Sequence, residues 1–94
     1  MALARVVTFE DVDGDRIEEL RRRISDGERP EGLPATEMIV LHEPEAGRSV
    51  VILFFDNEDD YARGDVTLSA MPADETPGRR TSVGRYEVLV RRAG

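Results

Sequence analysis

Two stretches of this chain are apolar at consecutive positions, Met38-Ile-Val-Leu41 and Val50-Val-Ile-Leu-Phe-Phe55. Both are rich in β-branched and aromatic residues. The Pro and Gly of Glu43-Pro-Glu-Ala-Gly-Arg48 separate them, so they read as a hairpin of strands over residues 36–42 and 49–55. Successive side chains of a strand point to opposite faces, so an unbroken apolar run requires both faces of its sheet to leave water. Any fold proposed for the chain must supply two covers.

The other segments show what is available as cover. Residues 3–9 alternate Leu3, Arg5, Val7 and Phe9 against Ala4, Val6 and Thr8, the pattern of a strand. In the turn Asp11-Val-Asp-Gly-Asp15, Asp13 is placed to cap a helix whose apolar stripe is Ile17, Leu20 and Ile24. Acidic Asp15, Glu18 and Glu19 precede Arg21, Arg22 and Arg23 along it, in the sense that suits the helix dipole, and Gly27 stops it. A polar connection follows over residues 28–34. After the hairpin, Asp56 and Asp59 resemble a capping box for a second helix reaching Ala70, with Tyr61, Leu68 and Met71 on its apolar face and Ala62 and Val66 beside them. Gly64 inside that helix is expected to cost about 1 kcal/mol relative to Ala. Residues 72–80 form a loop with two prolines, and residues 81–91 read as a last strand in which Tyr86, Val88 and Val90 alternate with Glu87, Leu89 and Arg91.

The order strand, helix, strand, strand, helix, strand predicts one α+β domain over residues 1–94. It is the ferredoxin-like βαββαβ plan, with a four-stranded antiparallel sheet and both helices on one face. Two helices cover one face only. The other face is expected to pair with a second copy, sheet to sheet, because burying roughly 500 Å² per partner at about 25 cal/mol per Å² gives a gross gain on the order of 25 kcal/mol.

Composition excludes several functions. Twenty acidic against thirteen basic residues give a net charge of -7, which repels nucleic acid. All thirteen basic residues are Arg, so lysine chemistry and a P-loop are ruled out, and the lack of Cys removes thiolate nucleophiles, disulfides and Cys-ligated metal. No apolar run approaches the roughly 20 residues of a membrane span, and residues 1–5 lack a signal-peptide core, so a cytoplasmic location is expected.

The segments Ala4-Arg-Val-Val-Thr-Phe9, Arg16-Ile-Glu-Glu-Leu-Arg-Arg-Arg23, Ser49-Val-Val-Ile-Leu-Phe-Phe55 and Ser82-Val-Gly-Arg-Tyr-Glu-Val-Leu-Val90, in this element order, resemble the dimeric α+β barrel superfamily. Within it they are most similar to small proteins of the antibiotic biosynthesis monooxygenase type. The resemblance implies two ferredoxin-like protomers paired through their sheets, with a cavity between sheet and helices that takes a small aromatic or polyketide-like molecule. Haem-degrading relatives use an Asn, a Trp and a helix-borne His; here there is no Trp, Asn57 is the only Asn, and His42 lies at a strand end. Quinone-forming relatives surround substrate with Asn, Trp, Tyr and Arg, for which Tyr61 and several Arg residues are possible equivalents.

Each candidate side chain carries two readings. His42 is a general base or metal ligand, or the surface end of a strand. Tyr61 and Leu68 line a ligand pocket or pack on the sheet, and Tyr86 faces either the cavity or the dimer seam. Arg80, with Arg79, binds a carboxylate or enolate, or is a solvated turn residue. The alternating Asp residues of 11–15 fail the calcium-loop pattern, since Arg16 stands where Gly is needed and Arg22 where Glu is needed, so capping is the expected role. The acidic run 56–60 likewise suits a helix start. No metal and no cofactor is expected. Three functions follow: a dimer that binds a small organic molecule, a cofactor-independent oxygenase acting on an aromatic substrate, with Arg80 holding an enolate while His42 or a tyrosine manages the proton, or a dimer that is itself the functional unit.

Overall fold

The computed structural model describes residues 1–27, 32–72 and 76–93. Parts of the expected connections over 28–34 and 72–80 lie outside them. The elements are β1 (Leu3–Glu10), α1 (Gly14–Ser25), β2 (Glu37–Glu43), β3 (Arg48–Phe55), α2 (Glu58–Ser69) and β4 (Arg79–Glu87). They form one antiparallel sheet in the order β2-β3-β1-β4, the ferredoxin-like α+β fold.

Strand parity sorts the side chains. Leu3, Arg5, Val7 and Phe9 of β1 pair with Phe55, Leu53, Val51 and Ser49 of β3, and Met38 and Val40 of β2 stand opposite Leu53 and Val51. This row faces the helices. It forms two buried clusters, one of Leu3, Leu33, Leu53, Phe55 and Tyr61, the other of Val7, Phe9 and Val12. The opposite row carries Ala4, Val6, Val50, Ile52, Phe54, Ile39 and Leu41, and no helix lies over it; Leu41 and Tyr86 are about half exposed there, at 52% and 58%.

Asp13 caps α1 by accepting the Arg16 amide hydrogen at 2.8 Å. The cap of α2 is Asn57 and not Asp56. Its backbone is extended, and its Oδ1 accepts the Asp60 amide hydrogen at 2.8 Å, so the capping pair is shifted by one residue from the expected Asp56 and Asp59. Asp56 serves instead as the spacer between the end of β3 and the cap.

The last strand also differs from expectation. It runs from Arg79 to Glu87 rather than over 81–91, because β4 pairs only with β1, whose ladder spans Glu10↔Arg79 to Leu3↔Glu87. Beyond it Val88 donates to the Ala2 carbonyl, and Arg91 lies with its guanidinium 4.1 Å from the Phe54 ring centre and pairs with Glu37. The tail therefore crosses one end of the helix-free face, while Leu89 and Val90 remain in solvent.

Gly64, expected to weaken α2, is required by the packing. A Cβ on it would sit 2.4 Å from Phe55 Cε1 and 2.6 Å from Cζ. The bare backbone lets the helix approach the sheet closely at Phe55. Val66, placed beside the apolar face by spacing alone, is 72% exposed.

Candidate functional site

Helix α1 is amphipathic by sequence, yet none of its residues is fully buried. Ile17 packs against Val7, Phe9 and Val12, while Leu20 and Ile24 face a cavity of about 380 Å³ between α1 and the sheet. The floor is Val7, Phe9, Val40, Val51 and Leu53, and Leu68 and Met71 close it from the α2 side. Thr76 and Pro77 border it where the chain enters β4. Arg16 of α1 donates to the Thr76 carbonyl, tying this border to the start of the helix. The volume falls within the range of small-molecule sites, about 300–1,000 Å³.

Three arginines line the cavity, Arg5, Arg23 and Arg80, and no acidic side chain does so among the described residues. Arg5 projects inward from β1 and is almost wholly buried; its Nε donates to Asp65 Oδ1 of α2 at 2.9 Å and a second nitrogen reaches Ser69 Oγ at 3.5 Å. Arg23 pairs with Glu19 one turn back at 3.5 Å. Arg80 owes its place to an irregularity. The β1–β4 register shifts at Thr8/Phe9, so Ser82 stands opposite Thr8 while Arg80 stands opposite Phe9, with Thr81 as the extra residue. Simple alternation would put Arg80 on the same face as Tyr86, and the bulge turns it to the cavity side.

Of the side chains singled out by sequence, Leu68 and Arg80 meet in the cavity lining. His42 is exposed at the end of β2, hydrogen-bonded through Nδ1 to buried Ser49 Oγ at 2.8 Å. Tyr86 is on the helix-free face, its ring against Gly84. Tyr61 is buried in the core edge-on to Phe55, centroids 5.4 Å apart, with Arg85 5.3 Å from its ring centre. Arg5 and Arg23 join Leu68 and Arg80 in the lining without a motif in the sequence that marks either as a site residue. The signal for Arg5 was its parity with Leu3, Val7 and Phe9, which places a charge on an inward face and calls for a partner. No three-residue cluster of metal-ligating side chains occurs among the described residues, and none of their helices is long and apolar enough to cross a membrane.

No protein-family model matches this chain, and no curated protein matches it. The polar side chains of the cavity, among the described lining residues, are the three guanidinium donors and the Thr76 hydroxyl. Among the described lining residues there is no carboxylate, imidazole or phenol to serve as a general base.

Tyr61 links this region to pH. Burial first, and then the nearby Asp65 carboxylate, push its phenol above the ordinary 10.0, with Arg5 and Arg85 pulling the other way. The folded chain thus holds this proton to higher pH than the unfolded chain. The stability that this phenol contributes is fully present below pH 10 and is lost as pH rises through 10 toward the folded-state value. Urea midpoints measured at pH 9 and pH 11 are expected to drop less for Tyr61→Phe than for the wild type; an equal drop would remove Tyr61 as the source.

Proposed function

We propose that this chain forms a dimeric α+β barrel in which each protomer binds one small organic molecule in the cavity between α1 and the sheet. The observation that carries the binding reading is α1 itself, whose apolar stripe at Leu20 and Ile24 faces open space where a packed helix would bury it. A ligand with an apolar body completes that packing and gains the hydrophobic contribution that the helix alone leaves unmade. Cofactor-independent oxygenation is the less favoured reading, because neither His42 nor a tyrosine lines the cavity with Arg80.

Filling the cavity tests this. Val40→Phe places a ring in the space from the β2 side, and it is expected to abolish binding of 2-naphthol measured by equilibrium dialysis, while circular dichroism remains that of the wild type. Undiminished 2-naphthol binding by this variant would place the ligand elsewhere.

The dimer reading rests on the helix-free face, where Val50, Ile52, Phe54 and Ile39 form a continuous apolar surface that the tail crosses only at one end. Ile52 lies between Val6 and Ile39 in the ladder, at the middle of that surface. Sedimentation at micromolar concentration is expected to give two copies for the wild type and one for Ile52→Arg. A wild type that sediments as a single copy would remove this part of the proposal.

A further inference from the structure

Resting on the cavity-binding reading, we propose that the ligand is an organic carboxylate and that Arg80 is the side chain that meets its charge. The chain as a whole carries -7, yet the described lining contains three arginines and no acid, the reverse of the overall balance. The three differ in what they have left to offer. Arg5 is neutralised by Asp65 at 2.9 Å, and Arg23 shares Glu19 at 3.5 Å. The Arg80 guanidinium has no hydrogen-bond or ion-pair partner among the described residues, although that of its neighbour Arg79 is paired with Asp11 at 3.1 Å.

The bulge strengthens the assignment. An extra residue in a ladder interrupts its pairing, and its effect here is to turn one arginine from the helix-free face to the cavity side. A planar guanidinium at the edge of an apolar chamber matches a carboxylate with two parallel hydrogen bonds. Arg80 is itself solvent-exposed, so the carboxylate sits at the mouth while the apolar body lies inward toward Leu20, Ile24 and Leu53.

The test compares two probes of similar size, 2-naphthoate and neutral 2-naphthalenemethanol, by equilibrium dialysis against the full chain and Arg80→Gln. Wild type is expected to bind the carboxylate about tenfold more tightly than the alcohol. Arg80→Gln is expected to remove that preference by lowering the affinity for the carboxylate about tenfold, with circular dichroism confirming that the variant is folded. Equal wild-type affinities would overturn the carboxylate assignment and leave the cavity reading intact. A preference lost in Arg23→Gln but retained in Arg80→Gln would overturn the role of Arg80. Failure of both probes to bind the wild type would overturn the cavity reading together with this inference.

Discussion

Asp65→Ala is expected to destabilise the protein by about 3 kcal/mol, because it strands the buried guanidinium of Arg5. The two partners are unequally solvated: the Arg5 side chain is 3% exposed and that of Asp65 44%. Removing the carboxylate leaves a charge facing apolar neighbours with, among the described residues, only Ser69 Oγ at 3.5 Å as a remaining partner. Removing the arginine leaves a carboxylate that water already reaches. Arg5→Met is therefore expected to cost much less, and the double variant Arg5→Met with Asp65→Ala to recover most of what Asp65→Ala loses. Urea unfolding of the four proteins measures this cycle directly. Equal losses for the two single variants would show that the pair acts as an ordinary surface ion pair, worth about 0–1 kcal/mol.

Gly64→Ala is expected to destabilise by about 2 kcal/mol, against the sign that helix propensity alone gives. Propensity favours Ala by about 1 kcal/mol. Steric conflict wins here because the added methyl would sit 2.4 Å from Phe55 Cε1 and 3.4 Å from Leu33 Cδ1. Phe55 is 0% exposed and held between Leu3, Leu53 and Tyr61, so its ring has no room to retreat. Overpacking of this kind costs about 1–3 kcal/mol, and more where neighbours are fixed. For a domain of this size a net 2 kcal/mol lowers Tm by about 10 °C. A rise in Tm for Gly64→Ala would mean that α2 sits farther from the sheet than the structure places it.

These two residues also mark what sequence alone could and could not show. The apolar alternation of 3–9, the Asp13 cap and the Pro- and Gly-containing hairpin segment are local signals, and the elements they predict form within a residue or two of expectation. The cap of α2 lies one position beyond the expected one because Asp56, Asn57 and Asp59 are all good cap formers, and the end of β3 decides among them. The span of β4 differs from the sequence pattern because its ends are set by β1, a partner distant in the chain, from Glu10↔Arg79 to Leu3↔Glu87. Gly64 read as a weakness because the ring it accommodates lies on another element.

The site was less legible than the fold. Leu68 and Arg80 reach the cavity, but Arg80 does so through a bulge that no periodicity displays. Tyr61, chosen as an amphipathic aromatic on the helix face, is consumed by the core, and the parity that made Tyr86 ambiguous resolves to the helix-free face. The cavity depends on how far α1 stands from the sheet. That separation is a property of tertiary packing, and the stripe of Ile17, Leu20 and Ile24 looks the same in either case.

The most direct measurement for the cavity is a titration of the methyl-labelled chain with 2-naphthoate, followed by carbon–proton correlation spectra. Ligand between α1 and the sheet is expected to shift the methyls of Leu20, Ile24, Leu53 and Leu68, while those of Ile39 and Ile52 on the opposite face stay in place. Shifts confined to Ile39 and Ile52, or none at saturating probe, would contradict it.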